Sequence, residues 1–202
     1  MMHPKMHSTL PTDATPTMRT RPLADAPALA SKAVQSLCES KAHFALQPDE
    51  ARVVLPFLRW VSFTEGAYLY REGDDSRTSY MLLLLEGDVT VDTRASGRED
   101  RVAIASLGPG SLIGEMALLD GSPRSTTCIA ITAVQAAGLS QGGLDRLAQD
   151  HPAVAFKLMV YVARNTADRL RAVSEQLTMV DQVIASLHDE LAQLRKTSSL
   201  RP

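Results

Sequence analysis

The middle of the chain alternates short apolar runs with turn residues, which is typical of an all-β domain. All eleven glycines lie between Gly66 and Gly143, and the apolar runs recur about every 8–12 residues. The strands that this pattern predicts are Ala67–Tyr70, Tyr80–Leu85, Val89–Val91, Val102–Ser106, Cys128–Ile131 and Val134–Leu139. Short strands with this spacing predict an antiparallel, jelly-roll-like β-roll.

The segments before the roll have a different character. Residues 1–30 contain five prolines and no apolar periodicity, which predicts a disordered tail. Residues 31–60 contain no glycine, and Pro48-Asp49-Glu50 has the composition of a helix start. We therefore expect an α+β fold in which residues 31–151 form the roll with N-terminal helices.

The C-terminal segment has the pattern of one long helix. No Gly or Pro occurs between Pro152 and Pro202, and apolar residues repeat with alternating spacings of four and three. The members of this seam are Met159, Ala163, Thr166, Leu170, Val173, Leu177, Val180, Ile184, Leu187, Leu191 and Leu194. A heptad seam of this length is typical of a coiled coil, so residues 152–197 predict a dimerisation helix, on the order of 60 Å long. The alternative is a helix that packs on its own roll.

Charge and composition exclude several classes of protein. The net charge is −2, with 45% hydrophobic and 22% charged residues, which argues against a surface that follows nucleic-acid phosphates. The longest apolar run, Met81–Leu85, is too short to span a membrane. The N-terminus has no apolar core of a secretory signal, and two cysteines do not form a disulfide framework. These features predict a cytoplasmic protein.

The segment Ser111–Cys128 combines groups that suit a phosphorylated ligand. Gly114 permits a tight turn into a short helix, whose first N–H groups can face an anion. Arg124 can donate two parallel hydrogen bonds to a phosphate, and Ser125 and Thr126 add hydroxyls. Glu115 can accept a hydrogen bond from a sugar hydroxyl. The alternative is that Glu115 and Arg124 only pair with each other.

The letters GEMALLDGSPRSTT in this segment resemble the phosphate-binding cassette of the cyclic-nucleotide-binding domain family. The upstream FTEGAYLYREGDDSRTSYMLLLLEGDVTV resembles the family's opening strands, and SLGPGSLIGE resembles its approach to the cassette. The resemblance covers residues from about 44 to 175.

This resemblance implies roles for individual residues. Glu115 would bind the ribose 2′-hydroxyl, and Arg124 would bind the cyclic phosphate together with Ser125. The backbone N–H groups of Glu115 and Met116 would join them, and Gly114 would permit the close approach. The base would lie against the long helix.

Two departures from the family's bacterial activators matter for ligand and output. Val173 occupies the position of a threonine that reads the adenine edge, and Ser174 follows it. cAMP is the favoured ligand, cGMP remains open, and a cyclic dinucleotide such as cyclic di-GMP is less favoured because no second basic group is evident. The helix occupies the place where a DNA-binding module would follow, so we expect a homodimer that signals to a protein effector and does not bind DNA or membrane.

Enzymatic and redox alternatives lack the necessary residues. A cupin-like metal enzyme needs histidines inside the roll, whereas all five histidines lie outside residues 62–149. An iron–sulfur or haem sensor needs more than Cys38 and Cys128. No nucleophile and base pattern is visible, so we expect neither catalysis nor a metal. A dimeric scaffold without ligand is the remaining alternative.

Overall fold

A computed structural model describes residues 20–39, 45–75, 80–94 and 101–198 of the chain. These residues belong to two compact units, Met1–Lys157 and Leu158–Pro202. The first unit contains the β-roll, and the second contains most of the last helix.

The described part of the first unit contains nine strands in two antiparallel sheets. The strands are β1 (Thr20–Pro22), β2 (Arg59–Phe63), β3 (Tyr68–Tyr70), β4 (Tyr80–Glu86), β5 (Val89–Arg94), β6 (Arg101–Leu107), β7 (Leu112–Ile113), β8 (Thr127–Ala130) and β9 (Val134–Ser140). One sheet has the order β1-β2-β9-β4-β7, and the other has the order β3-β8-β5-β6. This arrangement confirms the predicted β-roll.

The core of the roll is formed by apolar side chains from both sheets. Val61 on β2, Leu82 on β4 and Val89 on β5 are completely buried. The remaining members of this cluster are Phe63, Leu69, Tyr70, Leu84, Ile113, Cys128, Ala130, Val134 and Ala136. Five consecutive residues of β4, Met81–Leu85, are buried, so this strand is covered on both faces. That double burial explains why β4 is the most continuously apolar strand in the sequence.

Five helices accompany the sheets in the described residues. They are α1 (Pro27–Cys38), α2 (Pro48–Val54), α3 (Glu115–Asp120), α4 (Gln141–Asp150) and α5 (Pro152–Ser198). Leu23–Asp25 and Leu55–Phe57 form short 3₁₀ turns.

The start of α2 is closed by a reciprocal capping box. The Gln47 side chain accepts from the Glu50 backbone N–H, and the Gln47 backbone N–H donates to Glu50 Oε2 over 3.0 Å. Lys157 Nζ also donates to both oxygens of Glu50, at 2.6 and 2.7 Å. The backbone hydrogen bond from Gln47, and then Lys157, lower the pKa of Glu50. One carboxylate thus joins the cap of α2 to the first turns of α5.

Part of the segment predicted to be a tail, residues 1–30, has regular structure. Thr20–Pro22 pair with β2, and α1 begins at Pro27. Pro27 occupies the first turn of this helix, and Leu23 is completely buried. Residues 1–19 lie outside the described residues.

The second unit consists of α5 from Leu158 onward. The whole helix has 47 residues, about 70 Å at the standard rise. The seam residues Leu170, Val173, Leu177, Val180, Ile184 and Leu187 are all exposed. The side chains of Leu191 and Leu194 lie outside the described residues. No helix among the described residues has a stretch long and apolar enough to cross a bilayer.

We expect Leu82→Ala to lower the free energy of unfolding by about 2–5 kcal/mol, because it leaves a cavity between the sheets. Ile104→Ala on β6 is the control, since Ile104 is about half exposed and should change stability by no more than about 0.5 kcal/mol. Urea unfolding followed by circular dichroism measures both. Equal effects would contradict the assignment of Leu82 to the core.

Candidate ligand-binding site

The short helix α3 is bounded by two glycines in left-handed conformation. Gly114 precedes it with φ +71°, and Gly121 follows it with φ +69°. A Cβ atom at Gly114 would collide with Arg124 Nη1 and would lie 3.0 Å from the Tyr80 carbonyl oxygen. Gly114 is therefore required both by its backbone angle and by the close approach of Arg124.

Arg124 is a buried cation, with only 6% of its surface exposed. Its Nη1 donates to the Gly114 carbonyl over 2.8 Å, and its Nη2 donates to the Tyr80 carbonyl over 2.8 Å. Both hydrogen bonds go to neutral oxygens. Backbone carbonyls therefore hold the guanidinium in place.

Two tyrosine rings contact the same guanidinium. Arg124 Cζ lies 4.6 Å from the ring centroid of Tyr70 and 4.7 Å from that of Tyr80. Burial raises the pKa of both tyrosines, against the opposing effect of the Arg124 charge. The two phenols are therefore neutral at ordinary pH, and they present ring faces to the cation.

The backbone of Arg124 is held by the turn after β3. The Gly73 N–H donates to the Arg124 carbonyl over 2.8 Å, and the Arg124 N–H donates to the Asp74 carbonyl over 3.1 Å. Thr127, which is buried, accepts from the Glu72 N–H over 3.0 Å through its Oγ1. These bonds hold the backbone at Arg124 and at Thr127 in place. The side chain of Arg124 therefore starts from a fixed point of the fold.

The other predicted cassette residues surround Arg124 in different environments. Glu115 is buried, Met116 is exposed, and Ser125 is exposed beside Arg124 in the chain. The negative charge of Glu115 contributes to the raised pKa of Tyr70, which places this carboxylate near the tyrosine. Thr126 shares a side-chain hydrogen bond with Tyr70. Of these residues, Glu115 and Thr126 therefore lie near Tyr70.

Val173 and Ser174 lie on α5, in the second unit. Val173 is 40% exposed, and Ser174 Oγ donates to the Leu170 carbonyl one turn earlier over 3.0 Å. Their predicted role toward the base stays a prediction.

Sequence reasoning did not identify Tyr70, Tyr80 or Thr127 as parts of this region. Tyr80 lies 44 positions before Arg124, and no local spacing links the two residues. Tyr70 and Tyr80 occupy predicted strands, where an aromatic residue indicates only core packing. Within the described ranges, no group of three or more His, Cys, Asp or Glu side chains is arranged to hold a metal ion; the prediction of a metal-free site stays untested.

Comparison with known proteins identifies the class of this domain. Residues 60–151 match the family described as the cyclic nucleotide-binding domain. This match confirms the resemblance that the sequence shows and the fold expected from it.

Curated relatives and solved structures are similar over the same region. The chain is 28% identical over 133 residues to the CRP-like cAMP-activated global transcriptional regulator of Mycobacterium tuberculosis, covering 65% of this chain and 56% of that protein. It is 30% identical over 135 residues to the cyclic AMP receptor protein of Thermus thermophilus, covering 67% and 59% respectively. The crystal structure of a cyclic nucleotide-binding domain from Methylobacillus flagellatus superposes with a TM-score of 0.66 at 27% identity, covering 70% of this chain and 78% of that one. The chain spans less than two thirds of the length of these two curated relatives.

The matched glycines around α3 provide a test of the site geometry. Gly114→Ala and Gly121→Ala introduce the same left-handed strain, about 1–2 kcal/mol, but only Gly114→Ala forces a Cβ against Arg124; the space beside Gly121 is open within 4 Å. We expect Gly114→Ala to cost about 1–3 kcal/mol more in free energy of unfolding. Denaturant unfolding of the two variants measures this, and equal losses would contradict the close approach of Arg124 to Gly114.

Proposed function

We propose that this protein is a cyclic nucleotide receptor whose ligand is cAMP. The observation that carries the proposal is the buried Arg124 guanidinium, whose hydrogen bonds go to two carbonyl oxygens. A buried charge is costly unless an opposite charge accompanies it. A phosphodiester bearing one negative charge supplies that partner and matches the planar donor group of arginine.

The cassette supplies complementary groups for the rest of the ligand. We assign the cyclic phosphate to Arg124, Ser125 and the backbone N–H groups of Glu115 and Met116. We assign the ribose 2′-hydroxyl to Glu115. Thr126 supports the site through its hydrogen bond with Tyr70, which leaves Ser125 as the hydroxyl best exposed for the ligand.

The choice of cAMP over cGMP rests on similarity. The relatives from M. tuberculosis and T. thermophilus are named for activation by cAMP and for reception of cyclic AMP. Val173 and Ser174 are the residues we propose for base selection, from α5 of either subunit. Because valine lacks a donor, selectivity between adenine and guanine depends on Ser174, whose hydroxyl would leave its bond to Leu170. cGMP and cyclic di-GMP are the competing ligands.

We further propose that the protein works as a homodimer that signals to a protein effector and not to DNA. The support is the exposed apolar seam of α5, which extends over Leu170, Val173, Leu177, Val180, Ile184 and Leu187. A row of apolar side chains at heptad spacing is stabilised by burial against a second helix. Cytoplasmic location and the absence of catalysis belong to the same proposal.

Arg124→Ala should weaken cAMP binding by more than tenfold, because it removes the charged donor of the phosphate. Arg146→Ala is the matched control. Like Arg124→Ala, it removes one positive charge and one donor to a backbone carbonyl, since Arg146 Nε donates to the Gly142 carbonyl. We expect the cAMP affinity of Arg146→Ala to stay within about twofold of the wild type.

Isothermal titration calorimetry with cAMP, cGMP and cyclic di-GMP on all three proteins decides the ligand. An unchanged affinity in Arg124→Ala removes this residue from the site. Failure of the wild-type protein to bind any of the three ligands favours a dimeric scaffold and overturns the receptor proposal.

The seam can be tested in the full-length chain by placing charges on it. The double variant Leu177→Glu, Ile184→Glu puts two carboxylates on the seam one heptad apart, where like charges would face each other in a dimer. Thr178→Glu, Ala185→Glu has the same spacing on another exposed face of α5. Light scattering should show a monomer for the first variant and a dimer for the second; equal masses would contradict self-association through the seam.

A further inference from the structure

Two aromatic rings contact the Arg124 guanidinium in addition to the two carbonyl oxygens that accept its hydrogen bonds. Tyr70 lies at the end of β3 in the four-stranded sheet, and Tyr80 lies at the start of β4 in the five-stranded sheet. Both rings lie within 4.7 Å of Arg124 Cζ, well inside the range of about 6 Å for a cation–π contact. One cation is therefore held by aromatic rings from both sheets.

The two rings are themselves fixed. Tyr80 donates its hydroxyl to the Leu69 carbonyl over 2.8 Å, which ties β4 to the residue preceding Tyr70. Tyr70 is 8% exposed and shares a hydrogen bond with Thr126. Both rings are thus packed beside the guanidinium, and their faces lie within cation–π distance of it.

We propose that Tyr70 and Tyr80, here called the tyrosine pair, are positioning residues that orient the Arg124 guanidinium for the phosphate. This inference rests on the proposed nucleotide site. An arginine side chain has many rotamers, and fixing one of them on binding lowers affinity. The tyrosine pair fixes the rotamer in advance, and the carbonyls of Gly114 and Tyr80 set the in-plane direction.

The ring faces, and not the hydroxyls, are the groups expected to act on the cation. Tyr70→Phe and Tyr80→Phe retain the face, so cAMP affinity should stay within about threefold of the wild type. Tyr70→Leu and Tyr80→Leu remove the face and should weaken cAMP by about 3- to 30-fold each. Calorimetry on the full-length chain measures these affinities.

A matched control is available on the same strand as Tyr70. Tyr68 makes the same kind of contact with another arginine, since Arg71 Cζ lies 4.3 Å from its ring centroid. Tyr68→Leu removes a tyrosine–arginine contact away from Arg124, and its cAMP affinity should stay within about twofold of the wild type. A loss as large as that of Tyr70→Leu would attribute the effect to β3 packing and overturn the proposal.

A double-mutant cycle separates positioning from general damage. In the Arg124→Ala background there is no cation to orient, so adding Tyr80→Leu should change cAMP affinity by less than about twofold. A further loss equal to that in the wild-type background would overturn the proposal. Tyr80 is only partly buried, so Tyr80→Leu carries this test alone if Tyr70→Leu does not fold.

A measurement without ligand distinguishes this inference from the receptor proposal. The Nε–H signal of Arg124 in a ¹⁵N NMR spectrum, assigned by its loss in Arg124→Ala, should be shifted by the ring currents of the tyrosine pair. The Leu variants should move it toward the value of exposed arginines, and the Phe variants should not. If the signal responds in this way but no cyclic nucleotide binds, the positioning holds and the receptor proposal fails. If cAMP affinity is unchanged in both Leu variants, the receptor proposal stands and the positioning fails.

Discussion

The site depends on the burial of one positive charge. Arg124 is nearly inaccessible to water, and its guanidinium donates to the carbonyls of Gly114 and Tyr80. Carbonyl dipoles and ring faces solvate the cation, but they do not neutralise it. An anion interacts with a desolvated guanidinium more strongly than a neutral oxygen does, which is why a phosphate is the ligand group that we propose for Arg124.

The need to hold this charge explains several local features of the roll. Arg124 leads into β8 of the four-stranded sheet, while its guanidinium reaches β4 of the five-stranded sheet. Gly114 must lack a side chain because the guanidinium occupies the space of its Cβ. The turn after β3 binds the backbone of Arg124 through Gly73 and Asp74. Lysine would satisfy the charge but not this geometry, because it lacks the planar group that addresses two carbonyls at once.

The fold was largely predictable from sequence, because glycine turns and apolar runs are local signals. The predicted strand Tyr80–Leu85 agrees with β4 within one residue, and the helix start at Pro48 is confirmed by a capping box. β2 (Arg59–Phe63) was missed, since its alternation is short and follows a helical segment. The contacts of Arg124 could not be predicted from the sequence. Its hydrogen bond to the Tyr80 carbonyl spans 44 positions, and these residues meet only because the two sheets pack against each other.

The roll and the helix α5 each have a feature that a binding partner would stabilise. In the roll the buried Arg124 cation is the group that we propose binds an anion, and on α5 the exposed apolar seam is the surface that we propose binds another helix. Binding of an anion would stabilise the roll, and binding of a second helix would stabilise α5. The size of each effect depends on the concentration of the partner and on its affinity. In the proposed homodimer, ligand binding would influence the pairing of α5 only if the ligand bound two arrangements of the dimer with different affinity. If the tyrosine pair orients Arg124 before the ligand arrives, less of the binding free energy goes into ordering the site, and more of it is available for that difference.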